Sequence, residues 1–221
     1  QAKLDYVRSQ LQEDVTQMLY YARLKSSTKD YRFEDVNLND CLGEVLEDYA
    51  PLLEEKQFVL YYQPQYNHAD GTIIGAEALV RWKHPDRGLI SPGIFIPIFE
   101  KNGYISKLDF YVFEQACDFL NRCREQGLPM IPVSTNFCRH DIFLPDFVDK
   151  LENIRKKYDI PANFLRVEIT ESAIMGSNEQ VNDMINRLHQ NGYIVEMDDF
   201  GRGYSSLNVV KDTEMDVTNL D

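Results

Sequence analysis

Cationic side chains are scarce in this chain of 221 residues: 23 Lys and Arg stand against 36 Asp and Glu, a formal net charge of −13. Affinity for a nucleic-acid polymer depends on Lys and Arg, so this balance argues against such a partner. A small phosphorylated ligand is not excluded, because a bound cation can supply the local positive charge. No apolar run approaches the roughly 20 residues that a transmembrane helix needs. We therefore expect a cytoplasmic chain that makes no membrane contact itself, although a first residue other than Met is consistent with a longer, membrane-anchored parent.

Cysteine is also sparse, and the four cysteines form no CxxC pair. Scattered cysteines of this kind are typical of reduced, partly buried thiols in a cytosolic protein. The four histidines do not gather either, and none precedes His68, so we expect most of them to be surface or turn residues. The hydrophobic fraction of 43% is sufficient for a packed core and excludes a disordered chain.

The first 57 residues have a purely helical pattern. Apolar residues recur at three- and four-residue steps from Leu4 to Ala22, which predicts one amphipathic helix that ends near Ser26. A second helix is predicted from Asp40 to about Leu53, with Asn39 as its N-cap. We predict that this helical segment, residues 1–57, is separate from the domain that follows it.

Strands and helices alternate after residue 57. The predicted strands are Phe58 to Tyr62, Ile73 to Val80, Met130 to Ser134, Leu165 to Ile169, Tyr193 to Met197 and Met215 to Leu220. The predicted helices are Phe95 to Glu100, Phe110 to Arg124, Phe147 to Tyr158, Glu179 to His189 and Ser206 to Val210. Repeated strand–helix units of this size indicate a parallel sheet, either open or closed into a barrel.

Oxygen-bearing side chains occur at or near the predicted ends of four of these strands. They are Glu77, Asn136, Glu168, Asp198 and Asp199. Because the carboxyl ends of parallel strands meet at one rim, these side chains are expected to converge there. Two adjacent Asp residues repel each other unless positive charge lies beside them, and a pair of Mg²⁺ or Mn²⁺ ions would provide it. Each residue alone could instead be a solvated acid, a cap or a turn residue.

Several motifs in the same region, in order and with matching spacing, resemble the EAL-domain family of cyclic di-GMP phosphodiesterases. The motifs are Tyr62-Gln63-Pro64, Glu77-Ala78-Leu79-Val80-Arg81-Trp82, Phe95-Ile96-Pro97 with Glu100, Asn136, Glu168-Ile169-Thr170-Glu171, and Asp198-Asp199-Phe200-Gly201 followed by Gly203-Tyr204-Ser205-Ser206-Leu207. The resemblance covers residues 58–221. It implies a TIM-like (β/α)8 barrel whose first strand is antiparallel to the rest. It also implies hydrolysis of cyclic di-GMP to linear pGpG at a Mg²⁺ or Mn²⁺ site in bacterial signalling.

The resemblance also implies roles for individual residues. Glu77, Asn136, Glu168 and Asp198 match the family's metal ligands. Asp199 matches the carboxylate of the second metal, and Glu171 matches the glutamate that stabilises the following loop. Gln63 and Arg81 match ligand-binding positions, with Arg81 expected to pair with phosphate. The catalytic group implied in this way is Glu77, Asp198, Asp199 and Glu171.

The chain departs from the family pattern at three points. Asn219 occupies the position of a lysine that helps to hold the attacking water, and a neutral amide cannot replace an ammonium group there. A sequence that ends at Asp221 is expected to form an incomplete barrel without the later strands and their catalytic Glu. Arg202 stands where the family usually has a small polar residue. Two functions follow: a phosphodiesterase, with turnover by this chain in doubt, or a catalytically degenerate module that binds cyclic di-GMP or a protein.

The helical segment has a weaker resemblance of its own. Met18-Leu19-Tyr20-Tyr21-Ala22-Arg23-Leu24, Val36-Asn37-Leu38 and Glu44-Val45-Leu46 resemble the second dimerisation helix and the start of the ATP-binding domain of a sensor histidine kinase. No phospho-accepting histidine and no ATP-binding motif accompany them, so we predict no kinase activity. The apolar face of the first helix favours a homodimer contact, but a solvated stub or a fusion junction would give the same pattern.

Overall fold

The computed structural model describes residues 57–170, 173, 178–200 and 216–220, without the side chains of residues 178, 199, 200 and 217–220. The helices predicted before residue 57 and the short helix at Ser206 to Val210 lie outside the described residues. Among the helices that are described, none is long and apolar enough to cross a membrane.

Seven strands form one sheet in the described part of the chain. They are β1 (Phe58–Tyr66), β2 (Ile73–His84), β3 (Gly88–Ile90), β4 (Val133–Asn136), β5 (Leu165–Thr170), β6 (Ile194–Phe200) and β7 (Val217–Leu220). Their order is β1-β2-β4-β5-β6-β7, with β3 attached to β2. The strands β2, β4, β5, β6 and β7 pair in parallel, whereas β1 pairs with β2 in the antiparallel direction. The predicted antiparallel first strand of a TIM-like barrel is therefore confirmed.

Several strands, among them β2 and β6, are longer than the sequence pattern predicts. β2 continues to His84 because its second half pairs with β1 and with β3, a short strand that the pattern did not predict. Only Ala76 and Glu77 pair with β4, so the parallel part of β2 ends at Glu77 although the strand itself does not. β6 likewise extends to Phe200 and includes Asp198 and Asp199, because parallel pairing with β5 continues as far as Asp198.

Helices cover the outer face of the sheet. In the described part of the chain they are α1 (Pro92–Asn102), α2 (Ile105–Glu125), α3 (Arg139–Ile142), α4 (Phe147–Lys157) and α5 (Asn178–Gln190), and the 3-10 turn Ala162–Phe164 leads into β5. The chain turns after α5 at Gly192, which adopts a left-handed φ of 86° that glycine accepts without strain. The four-residue helix α3 was not predicted, since so short a segment carries no periodic signal.

Aromatic side chains build much of the core between the sheet and the first two helices. Phe58 of β1 stacks on Trp82 of β2 with ring centroids 5.7 Å apart, and it meets Phe95 edge-on at 5.6 Å. Phe99 and Tyr104 extend this cluster, with ring centroids 4.9 Å apart. All five side chains are at most 4% exposed, so the start of β1 is firmly held against β2 and α1.

Candidate metal centre

The alternation of side chains along β5 and β6 separates an apolar face from a polar one. Leu165, Val167 and Ile169 on β5 and Val195 and Met197 on β6 are fully buried under the helices. The intervening positions, which include Glu168 and Asp198, point to the inner face of the sheet, because successive strand residues face opposite sides. The outer residues thus hold the strands in place, and the inner residues are left for a site.

Glu77 and Asn136 form the first contact of this site. The Asn136 side-chain amide, Nδ2, donates a hydrogen bond of 2.9 Å to Glu77 Oε1 across the junction of β2 and β4. Burial raises the pKa of the Glu77 carboxyl, and the hydrogen bond from Asn136 partly opposes this rise. The carboxylates of Asp198 and Glu196 raise the pKa of Glu77 further, because like charges nearby disfavour its ionised form. Glu77 therefore lies in a region of unbalanced negative charge.

Glu168 and Asp198 continue the site on the next two strands. Asn136 is the register partner of Glu168, and Asp198 is the partner of Thr170, which lies two residues beyond Glu168 on the same face. Glu168 is only 2% exposed, whereas Asp198 is partly exposed. The structure therefore places four of the five predicted metal ligands on four neighbouring strands at the same face of the sheet, and Glu77 and Asn136 are in direct contact.

This donor set fits a hard divalent cation. Three carboxylates and one amide supply oxygen atoms of the type that Mg²⁺ and Mn²⁺ prefer. Burial first, and the charges of Asp198 and Glu196 second, raise the pKa of Glu77, and a cation bound nearby would offset both effects. Neither a thiol nor an imidazole belongs to this group of four, which argues against a softer metal.

The two predicted ligand-binding residues flank Glu77. Gln63 of β1 is the direct register partner of Glu77 and is exposed, so its amide is accessible beside the carboxylate. Arg81 lies four residues beyond Glu77 on β2, and its charge lowers the pKa of Glu77. Its Nη1 donates a hydrogen bond of 2.8 Å to the carbonyl of Val80.

The side chains of three other predicted residues, Glu171, Asp199 and Asn219, are not described by the structure. Glu171 lies outside the described residues. Asp199 is described as a backbone position on β6, next to Asp198. Asn219 lies on β7, which pairs in parallel with β6.

A second group of polar side chains lies one step deeper on the same strands, and the sequence pattern did not identify it. Glu196 of β6 is completely buried and accepts hydrogen bonds from Arg166 of β5 at 2.9 Å and from Ser134 of β4 at 2.5 Å. Arg166 also donates to Gln65 Oε1 at 2.9 Å and to the carbonyl of Ile74 at 3.0 Å. We call Ser134, Arg166, Glu196 and Gln65 the lower layer, and Glu77, Asn136, Glu168 and Asp198 the upper layer. A possible signal was present in the spacing, since three lower-layer residues precede upper-layer residues by two positions.

A separate acidic group lies on the helical side of β4. Asp109 of α2 accepts a hydrogen bond of 3.0 Å from the backbone of Cys138, and the side chains of Asp109, Cys138 and Asp141 lie close together. Burial raises the pKa of Asp109 well above its usual value, and the neighbouring Asp141 raises it further. The thiols of Cys117, Cys123 and Cys138 are free, and Cys41 lies outside the described residues.

A mostly parallel sheet with an antiparallel first strand and polar side chains along its inner face defines a TIM-like barrel protein. The particular family is also clear. The chain matches the EAL domain family over residues 46–221 and belongs to it.

Named relatives support this assignment. The chain is 35% identical over 175 residues to the cyclic di-GMP phosphodiesterase NbdA of Pseudomonas aeruginosa, a match that covers 79% of this chain and 22% of NbdA. It is also 35% identical over 165 residues to the probable cyclic di-GMP phosphodiesterase PdeG of Escherichia coli, with 75% of this chain and 32% of PdeG covered. The chain thus spans about a quarter to a third of the length of these relatives.

A solved structure gives the same result for the fold. The PaMucR phosphodiesterase, in complex with c-di-GMP, superposes with a TM-score of 0.74 at 32% identity, over 80% of this chain and 72% of the other. The predicted EAL-type barrel fold is therefore confirmed. The histidine-kinase resemblance of residues 1–57 and the boundary at residue 57 stay predictions.

Proposed function

We propose that this chain is the nucleotide- and metal-binding part of a cyclic di-GMP phosphodiesterase, which hydrolyses the cyclic dinucleotide to pGpG. The observation that carries the proposal is the upper layer: Glu77, Asn136, Glu168 and Asp198 occupy the inner face of adjacent strands, and burial and like charges raise the pKa of Glu77. Relatives named as cyclic di-GMP phosphodiesterases support the choice of substrate.

The upper layer would hold divalent Mg²⁺ or Mn²⁺, with Asp199 as the carboxylate of a second ion. Such ions polarise a phosphodiester and lower the pKa of water, so that a nucleophile is available near neutral pH. Asn136 orients the Glu77 carboxylate through its hydrogen bond of 2.9 Å.

Arg81 would turn from the Val80 carbonyl to the phosphate, since a guanidinium pairs well with phosphate oxygens. Gln63, exposed beside Glu77, would contact the ligand, and Glu171 would support the loop after β5.

A second function, binding of cyclic di-GMP without turnover, is favoured by Asn219. This residue lies on β7, the strand beside Asp198 and Asp199. An amide carries no positive charge and therefore cannot stabilise an anionic nucleophile as an ammonium group can. Under this second function the upper layer retains the cation and the ligand, and the chain acts as a sensor in signalling.

The decisive assay incubates the purified chain with cyclic di-GMP and Mn²⁺ and measures pGpG by chromatography, with calorimetry for binding. Sustained pGpG formation that is abolished in Glu77→Ala supports the phosphodiesterase. The matched control is Glu179→Gln, because Glu179 is an exposed acid that lies on helix α5 rather than on a strand. Binding without pGpG supports the sensor, and absence of both contradicts the two functions together.

The variant Asn219→Lys separates the two functions further. If the missing ammonium limits catalysis, the substitution raises the rate of pGpG formation by about 100-fold, the usual size of a single catalytic contribution. Unchanged binding with no gain in rate would show that Asn219 is not the limiting residue.

A further inference from the structure

The strongest feature that the proposed function leaves unexplained is the buried charge pair of the lower layer. Arg166 and Glu196 lie 2.9 Å apart, and their side chains are 12% and 1% exposed. The pair joins β5 to β6, while Ser134, Gln65 and the Ile74 carbonyl connect it to β4, β1 and β2. A buried ion pair is seldom a net source of stability, because the removal of two charges from water is costly. Its presence directly below the upper layer therefore suggests a role in that site.

The position of Glu196 makes it a potential extra member of the upper layer. Glu196 is the register partner of Glu168, so the two buried acids occupy neighbouring positions on the inner faces of β5 and β6. Glu196 is also close enough to Glu77 for its charge to act on that carboxyl. Both Glu196 oxygens are nevertheless engaged below: Oε1 with Arg166 and Oε2 with Ser134. Arg166 and Ser134 thus direct this carboxylate away from the upper layer.

We propose that Arg166 is a positioning residue for the metal centre. Arg166 binds Glu196, keeps the Glu196 carboxylate away from the metal-binding side chains and balances its negative charge. The proposal rests on the proposed function only in taking the upper layer as a site for divalent cations. With Arg166 in place, the charge available to a cation comes from Glu77, Glu168 and Asp198. If Arg166 is removed, Glu196 adds a fourth carboxylate next to Glu168. If Glu196 is removed instead, Arg166 places an unbalanced positive charge near the cation.

This role predicts opposite effects for the two members of the pair. Arg166→Gln should tighten the binding of Mn²⁺ by about tenfold, because it leaves an additional anion beside the site. Glu196→Gln should weaken the binding by about tenfold, because it leaves an additional cation. The double variant Arg166→Gln/Glu196→Gln should return to within about threefold of the unchanged chain, since the pair is neutral before and after the change. Arg166→Lys keeps the charge and should bind Mn²⁺ within about threefold as well.

The experiment is a titration of the full chain with Mn²⁺, followed by electron paramagnetic resonance of the free ion at about pH 8, where carboxylates are ionised. Circular dichroism of each variant establishes that it is folded. If Arg166→Gln alone fails to fold, Glu196→Gln and the double variant still test the positioning role. A merely structural role predicts that the double variant binds Mn²⁺ no more tightly than Glu196→Gln does.

Opposite shifts in the single variants, with recovery in the double variant, support the positioning role. Equal weakening in both single variants, or no change in either, would overturn it. The result for Glu77→Gln separates this failure from failure of the proposed function. If Glu77→Gln loses Mn²⁺ while Glu196→Gln does not, only the positioning role is wrong; if the unchanged chain binds no Mn²⁺, the metal centre itself is wrong.

Discussion

The two polar layers inside the sheet differ in how their charges are balanced. In the lower layer, Arg166 and Ser134 satisfy both oxygens of the buried Glu196. In the upper layer, Glu77 receives an amide hydrogen bond from Asn136, while neighbouring carboxylates and burial raise its pKa. Neighbouring positions on the same strands thus carry a neutralised carboxylate and a group of carboxylates with excess negative charge.

The fold thus tolerates unfavourable electrostatics in the upper layer but not in the lower one. A balanced pair connects strands without attracting an ion, whereas unbalanced acids raise the free energy of the cation-free state and so favour the binding of a cation. On the apolar outer face Val167 and Val195 are fully buried, and this hydrophobic packing offsets the unfavourable electrostatic free energy of the upper layer. The layers should therefore respond in opposite ways when their charges are removed.

The largest expected effect comes from breaking the lower layer at Arg166. Arg166→Ala leaves Glu196 buried without its guanidinium partner, and we expect the free energy of unfolding in urea to fall by about 3 kcal/mol or more. The control is Arg122→Ala, because Arg122 pairs with Asp118 at 3.1 Å on the surface, with side-chain exposures of 58% and 36%. A surface pair of this kind contributes less than about 1 kcal/mol. Equal losses in the two variants would contradict a buried, charge-balanced lower layer.

The second effect removes one hydrogen bond from the lower layer and keeps the charge pair. Ser134→Ala deletes the 2.5 Å bond to Glu196, and we expect a loss of about 1–3 kcal/mol, the usual range for a hydrogen bond to a buried charge. Ser106→Ala on α2 is the control, since Ser106 is half-exposed and alanine favours a helix. Urea unfolding measures both, and a Ser134→Ala variant as stable as the control would show that Ser134 is dispensable.

The third effect concerns a pair of neighbouring acids outside the two layers, Asp109 and Asp141. Asp141→Asn removes a buried like charge beside Asp109 and should raise the free energy of unfolding at neutral pH by about 1 kcal/mol. The raised pKa of Asp109 means that the folded chain binds its proton more tightly than the unfolded chain does. The contribution of Asp109 to stability is therefore greatest at low pH and is lost as pH rises through the raised pKa of Asp109.

This pH-dependent fall should be smaller in Asp141→Asn, because one of the causes of the raised pKa of Asp109 is gone. Asp183→Asn is the matched control, since Asp183 is an exposed acid on α5. Urea unfolding at several pH values measures the change. A fall of the same size in all three proteins would show that Asp141 does not act on Asp109.

The smallest expected effect concerns the upper layer in the absence of divalent cations. Glu77→Gln removes a carboxylate whose pKa is raised, so the stability that the unchanged chain loses as pH rises through this pKa is retained in the variant. The gain at neutral pH should be below about 1 kcal/mol, because Glu77 is only half-buried. Thermal unfolding in chelator measures it, and a clear loss of stability would mean that Glu77 is a structural residue rather than a ligand.

Much of the upper layer could be predicted from the sequence. Asn136 and Glu168 follow short apolar runs that the sheet pairs in parallel, so their convergence follows from topology alone. The extent of β2 could not be predicted in this way, because the residues after Glu77 pair with β1 and β3, and this pairing depends on distant partners. The same dependence accounts for the extension of β6 through Asp198.

The lower layer was harder to predict for a different physical reason. Alternation in Leu165-Arg166-Val167-Glu168 shows that Arg166 and Glu168 share a face, but it does not show what either contacts. An arginine on a strand is usually exposed, so its burial against Glu196 depends on a partner 30 residues away. Long-range charge pairing of this kind has no local signal in a single sequence.

The most direct test of the central claim is the Mn²⁺ affinity of the full chain, compared with that of Glu77→Gln and Glu179→Gln. We expect that the unchanged chain binds Mn²⁺, that Glu77→Gln weakens this binding by at least about tenfold, and that Glu179→Gln does not alter it. Equal affinities in all three proteins would contradict the claim that the unbalanced carboxylates of the upper layer form a metal centre.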